Sequence, residues 1–480
     1  MGTGADAAPG GGPHPPLATE LTRDVDVDGV HRHLRALQRI ADANGGSRAA
    51  GTPGYDASVD YVAGKLRTAG FDVSTPEFGY QAAVVDAATL DVGGRQVEID
   101  PMEFTPSTPP GGVTGPLVVV PGDGCEAADY AGLTATGAVA LIRRGTCTFT
   151  QKQQVAADVG AIAAVIANNV PGPLDGTLGD RAAARIPTGG ISQADGDALL
   201  GSGGVSTRVE LRVHYVDRVT RNVIAQTRTG RTDNVVMAGA HLDSVEKGPG
   251  INDNGSGTAA LLETARQLGG NPKVHNAVRF AWWGAEELGL LGSKAYVAAL
   301  APEQQQDIAL YLNFDMVGSP NAAYFVYDGD DSDAEGAGPG PFGSAQIEAA
   351  FVDYLTGRRH VPVEGTDFSG RSDYGPFIAV GIPSGGLFTG AEGIKTPEQA
   401  AKWGGSGGVA YDPCYHQACD TLGNVDRTAL ERNSDAVAWV TATYAISTED
   451  VNGVPSREQR AALRGGARSL GPAPHSHAAA

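Results

Sequence analysis

Several imidazole and carboxylate side chains in this chain stand where short apolar runs stop. Gly239-Ala-His241-Leu-Asp243-Ser244 closes one such run with a histidine and an aspartate two residues apart, and a Gly-rich loop carrying Asp253 follows at Gly250–Gly257. The run Val278–Gly284 leads into Ala285-Glu286-Glu287, Tyr311–Met316 carries Asp315, and Cys414-Tyr415-His416-Gln417-Ala418-Cys419-Asp420 sets a histidine between two cysteines. Open α/β sheets place their ligands beyond the carboxyl ends of the strands, so one sheet can bring these groups together. Neutral imidazole and carboxylate match zinc. A pair of ions about 3.5–4 Å apart is well served by one bridging carboxylate plus a His and a carboxylate on each ion. Of the ten histidines, only His241 and His416 have this setting. At a turn, one member of Glu286-Glu287 can ligate while the other stays free as a general base.

Each residue alone has an ordinary explanation. Glu-Glu before a helix compensates the helix dipole. Asp315 serves as a cap, Asp253 as an Asx turn, and His-x-Asp as a surface turn. Five such residues in matching settings are harder to explain that way.

The elements that must position them follow from periodicity. Val30, Leu34, Leu37 and Ile40 recur at helical spacing with Asp28 as the expected N-cap, and Gly45-Gly46 ends that helix. A second helix runs from about Tyr55 to Gly70, with a strand from Phe71. After Phe78 short β-like runs take over at 90–92, 96–99, 117–120, 138–142 and 161–167, with one helix near 151–159. From Asn222 onward strands alternate with helices: strands at 222–225, 234–240, 277–283 and 308–316, helices at 256–268 and 289–300. The expected fold class is therefore α/β, with a mixed, largely parallel sheet and flanking helices. The expected boundaries are a disordered leader at 1–25, an N-terminal part of the catalytic domain at 26–82, an inserted, mostly β unit at 83–214, the catalytic domain at 215–447, and a disordered tail at 448–480.

Composition sets outer limits. With 480 residues the chain exceeds one ordinary domain, and 41% hydrophobic content can fill sizeable cores. A formal charge of −20 argues against nucleic-acid binding, which needs clustered Lys and Arg. No apolar run of membrane-spanning length occurs. No signal-peptide pattern precedes Pro16 in the chain as given. The four cysteines form two local pairs, Cys125 with Cys147 and Cys414 with Cys419, as two short disulfide loops would. Disulfides belong to oxidising compartments, so export is expected.

The segments 216–445 resemble the secreted bacterial di-zinc aminopeptidases of the leucine-preferring type, on the motifs above together with Gly370-Arg371-Ser372-Asp373-Tyr374-Gly375-Pro376-Phe377 and Gly385–Gly390. The resemblance implies two Zn²⁺, with His241 and Asp315 on one, Glu287 and His416 on the other, and Asp253 bridging. It implies Glu286 as general base toward a zinc-bridging water and Tyr415 as oxyanion donor. Arg371, Phe388 and Met316 are the expected substrate-binding residues. The alternative makes Phe388 and Met316 ordinary core residues, and Arg371 either grips a carboxylate or pairs with a nearby acid. The inserted unit resembles a protease-associated domain, carried by Cys125 and by Gly137–Lys152 with its Cys147. It is either a cover for the substrate cleft or a spacer. The acidic stretch Asp328–Gly336 offers Ca²⁺ ligands, with a solvated loop as the favoured alternative.

The expected activity is removal of hydrophobic, Leu-like first residues from peptides with a free N-terminus, by a monomer. Three rivals remain: a zinc carboxypeptidase or dipeptidase on a similar sheet, a binding protein, and a one-zinc glutaminyl-cyclase-like transferase.

Overall fold

Strands buried on both faces demand a layer of helices on each side, and the fold supplies them. The computed structural model describes residues 16–174, 176–334, 336, 338–452, 460–462 and 464. The described residues form two compact units: one takes those up to Phe78 and those from Val219, the other takes Gly79–Arg218.

The first unit is built on an eight-stranded sheet in the order Asp72–Ser74, Val223–Gln226, Asn276–Trp283, Arg231–His241, Ile308–Phe314, Ser384–Phe388, Phe325–Tyr327, Glu364–Thr366. Its four central strands, from Asn276–Trp283 to Ser384–Phe388, are parallel; Val223–Gln226 and Phe325–Tyr327 pair antiparallel to their inner neighbours. The α/β class with a mixed, largely parallel sheet is thus the observed one. The period-2 alternation of the central strands sorts their side chains between two cores. Val236, Ala238 and Ala240 pack with residues of helices Val27–Ala43, Pro53–Thr68, Gly255–Leu268 and Arg427–Ile446. Met237, Ala281, Trp283 and Tyr311 pack on the other side with Val297 and Phe377.

The second unit has its own eight-stranded sheet. Val113–Val119, Val139–Arg143, Ala163–Ala167 and Thr188–Ile191 run parallel within it, with antiparallel strands at both edges. Helices Phe149–Asp158 and Gln193–Leu199 accompany it, and Cys125 is bonded to Cys147 with the Cα atoms 5.8 Å apart.

Three expectations need correction. Residues 16–24 of the expected leader form a helix whose Ala18 and Leu21 are fully buried; one apolar stripe sufficed where the Gly/Pro-rich start hid it. The helix at Val27 is capped by Asp26, which accepts from the Gly29 amide at 2.6 Å, while Asp28 pairs with Arg427 instead. Beyond Thr448, Glu449–Asn452 is helical and Val451 is buried; Arg460 donates to Asn234 Oδ1 at 2.7 Å, and Arg464 to the carbonyls of Gln305 and Ile308. These guanidinium groups satisfy carbonyls near the start of central strands, a pull that composition does not register. Leader residues 1–15 and tail residues 453–459, 463 and 465–480 lie outside the described residues.

Candidate active site

His241 is the last residue of strand Arg231–His241, and Asp315 follows strand Ile308–Phe314 directly. The two parallel strands are paired in register, so these side chains leave the sheet at one end, where His241 Nε2 stands 3.2 Å from Asp315 Oδ1. Asp253 sits in the loop before helix Gly255–Leu268 and turns one oxygen to each histidine: Oδ1 is 3.2 Å from His241 Nε2, and Oδ2 is 3.3 Å from His416 Nε2. Glu287 Oε2 completes the second group at 2.9 Å from His416 Nε2. All five predicted ligands therefore converge, as two triads that share Asp253.

The donor set fits two cations. Ligand atoms around a tetrahedral zinc with bonds of about 2.0–2.1 Å lie about 3.3 Å apart, which is the spacing found here. Glu287 Oε1 is buried with no hydrogen-bond partner among the described residues, an orphan that a positive charge would satisfy. Burial pulls the His241 imidazole down, but Glu286 and Asp315 outweigh it and leave it well above the ordinary value. His416 is likewise raised, mainly by Glu287 and Asp253 against burial. Burial holds Glu286 well above the usual carboxylate range, and burial with Asp253 pushes Glu287 up to about 7. Such a cluster calls for positive charge.

Glu286 belongs to neither triad, and its Oε2 lies 3.8 Å from His241 Nε2. The turn that presents both glutamates begins at Ala285, whose φ of 56° is left-handed. Asp243 then fixes them: its two oxygens accept from the amides of Glu286 and Glu287 at 3.2 and 3.4 Å, and its carbonyl meets His241 Nδ1 at 3.2 Å. Asp243 was visible in the sequence beside His241, but nothing there assigned it this work.

Three further side chains, to which the sequence assigns no role, hold the ligands in place. Asp420 accepts from the amides of Asn252 and Asp253 at 2.8 and 2.9 Å, and Ser372 donates to Asp315 Oδ2 at 2.6 Å. Arg48, fully buried, donates to the carbonyls of Pro249 at 2.9 Å, of Gly250 at 2.6 Å, and of Leu242. Asp420 and Ser372 stand within the segments Cys414–Asp420 and Gly370–Phe377, which is the one sequence signal for them; Arg48 carries none.

Tyr415 stacks on His416 with ring centroids 3.9 Å apart, and its hydroxyl accepts from Arg371 Nη2 at 3.2 Å. Cys414 and Cys419 are bonded, with Cα atoms 5.3 Å apart, closing the loop that carries both. Arg371 also holds Glu392 at 2.9 Å. Phe388 is partly exposed and stacks on Phe325 at 6.1 Å. Met316 is buried, its amide donating to Asn254 Oδ1 and its carbonyl accepting from Thr389. In the acidic stretch, Asp328 groups with Asp330 and Glu348, but its oxygens already accept from the amides of Asp330, Ser332 and Asp333. Glu335 of that stretch lies outside the described residues.

Among the described residues, no helix is long and apolar enough to cross a membrane. The profile of peptidase family M28 matches residues 222–441, and that of the PA domain matches 113–199. The chain is 51% identical to a probable lipoprotein aminopeptidase of Mycobacterium tuberculosis, over 92% of this chain and 90% of that protein. It is 42% identical to leucine aminopeptidase 2 of Trichophyton tonsurans, over 94% and 90%. A zinc aminopeptidase from Bacillus subtilis superposes with a TM-score of 0.68 at 27% identity, covering 88% of this chain and 95% of that one. The chain belongs to peptidase family M28 and carries a PA domain within it.

Proposed function

We propose that this zinc aminopeptidase works with two co-catalytic ions, His241 and Asp315 holding one, Glu287 and His416 the other, and Asp253 both. The observation that carries the reading is Asp253, whose two carboxylate oxygens face different histidines. When bound, the ions supply Lewis acidity and lower the pKa of an attacking water. Glu286, left free of both triads, takes the proton of that water and returns it to the leaving amine. The Tyr415 hydroxyl, raised well above its usual pKa chiefly by burial, stays protonated and donates to the oxyanion. The carboxylates of Glu286 and Asp315 receive the free α-amine of the substrate, which restricts cleavage to the first residue.

A hydrophobic, Leu-like first residue suits the aromatic surface of Phe388 on Phe325 and the side chain of Met316, which follows the ligand Asp315 directly, and a relative is named a leucine aminopeptidase. Two disulfides support secretion. Calcium, as a modulator, would use Asp328, Asp330 and Glu348.

Metal analysis of the purified protein alongside hydrolysis of aminoacyl-anilides tests the core of this reading. Two zincs per chain, faster release from leucyl- than from lysyl- or glutamyl-anilide, and loss of both zinc and turnover in Asp253→Ala are expected. One zinc per active chain would overturn the two-ion mechanism; a preference for charged first residues would overturn the pocket. Calorimetric titration of the zinc-loaded protein with Ca²⁺ that yields no heat assigns the Asp328 turn to structure alone.

A further inference from the structure

Arg371 borders the site with a positive charge that a peptide carboxylate would find attractive, yet both ends of its guanidinium fork are already engaged. Nη2 reaches the Tyr415 hydroxyl at 3.2 Å, and Nη1 reaches Glu392 Oε1 at 2.9 Å. The side chains of Arg371 and Glu392 are 27% and 29% exposed, so the pair faces solvent rather than lying in the core. Arginine binds carboxylates best through two parallel N–H groups, and here one of those is given to an acid of the protein itself. A substrate carboxylate approaching Arg371 would have to displace Glu392 and would be repelled by it.

We propose that Glu392 is a specificity-determining residue that masks Arg371, so that the enzyme gains nothing from a carboxylate one residue beyond the scissile bond. This rests on the placement of Tyr415 at the oxyanion. With the first carbonyl at that hydroxyl, a dipeptide's carboxylate lies one residue on, a reach of about 3.3–3.6 Å, and Arg371 Nη2 stands 3.2 Å from the same hydroxyl, within that reach. A longer peptide has an uncharged amide at that point. Masking therefore lets long peptides compete with dipeptides on equal terms, which suits an exopeptidase that shortens chains stepwise. Removing the mask would convert the site toward a dipeptidase.

The comparison is leucyl-alanine against leucyl-alaninamide, read as the ratio of their kcat/KM values. In the wild-type protein the ratio stays within about threefold of one. Glu392→Ala raises it about tenfold or more, mostly through the KM of the free acid, the scale of one hydrogen bond to a charged group. Glu392→Gln, which keeps the shape and loses the charge, raises it less. The double variant with Arg371→Gln returns it to the wild-type level. A ratio unchanged in Glu392→Ala, one that stays high in the double variant, or a wild-type ratio already above ten would each overturn the proposal. Because the ratio compares two substrates on one protein, an error in the role of Tyr415 shows separately, as an undiminished kcat for the amide in Tyr415→Phe.

Discussion

Glu286 and Glu287 are adjacent, chemically alike, and given different work by the backbone. In an extended segment their side chains would diverge. The strand ends at Trp283, the left-handed Ala285 turns the chain, and the carboxylate of Asp243 then grips both following amides, so both side chains turn into one site. Glu287 meets His416 at 2.9 Å, whereas Glu286 stays outside both triads. Left-handed residues also occur at Met316, next to Asp315, and at His416 itself, with φ of 51° and 56°. Such conformations cost about 1–3 kcal/mol each and persist where the surroundings demand them. If the division between the two glutamates holds, Glu286→Gln lowers kcat by about 10²–10⁴ while zinc content stays at the wild-type level. Metal analysis beside steady-state kinetics checks both halves; loss of a zinc would make Glu286 a ligand, and a fall under tenfold would remove it as the base.

At the scale of elements, the loop from Leu242 to Gly250 joins the strand that ends on His241 to the segment that carries Asp253. A loop of this length would not by itself hold ligands to a few tenths of an ångström. Arg48 does so from the distant segment between helices Val27–Ala43 and Pro53–Thr68, by binding three carbonyls of that loop while its own amide donates to Ser244 Oγ at 2.9 Å. Burial pulls its pKa down to about 10 against Asp243 and Asp420, so it remains charged at neutral pH. Arg48→Met is expected to weaken zinc binding about 10–100-fold. Arg48→Lys recovers only part of it, because a compact ammonium cannot span the three acceptors. Competition with a chelator measures this; wild-type zinc affinity in both variants would reduce Arg48 to a packing role. The contrast with the ligands shows what a sequence displays. His241, Asp253, Glu287 and Asp315 stand out because apolar strands and Gly-rich turns bracket them. Arg48 answers to carbonyls some 200 residues away and sits in an irregular stretch between two turns, without periodicity, so nothing nearby marks it. The disulfide partners were readable for the opposite reason, each pair being local.

Across the whole molecule, the first unit must join helices that precede the PA domain to a sheet formed mostly after it. Apolar stripes predict that these helices pack somewhere, but not against what. The structure answers with a buried polar link as well as with packing. His33 Nδ1 lies 2.7 Å from the Tyr61 hydroxyl and Nε2 lies 3.0 Å from Glu263 Oε2; a carboxylate can only accept, so Nε2 carries the proton, and a neutral imidazole then takes the Tyr61 O–H at Nδ1. Burial lowers the His33 pKa more than Glu263 raises it, in keeping with that tautomer. Gly29 allows the approach, since a Cβ there would stand 2.5 Å from Glu263 Oε1. Burial raises Glu263, but His33, Gln267 and Arg266 outweigh it and bring it to about 2, below its ordinary 4.5. A carboxylate depressed on folding contributes stability that is fully present above the unfolded pKa and is lost as pH falls from about 4.5 to 2, here on the order of 3 kcal/mol. His33, also depressed, adds a loss that begins as pH falls below 6.5. Glu263→Gln should therefore unfold at lower denaturant than the wild type at pH 7, with the gap closing as the pH is taken from 4.5 toward 2. Denaturant midpoints across that range decide it. A gap that stays constant with pH would mean that Glu263 holds the two sequence-distant parts together by shape and hydrogen bonding alone, and that its charge contributes nothing.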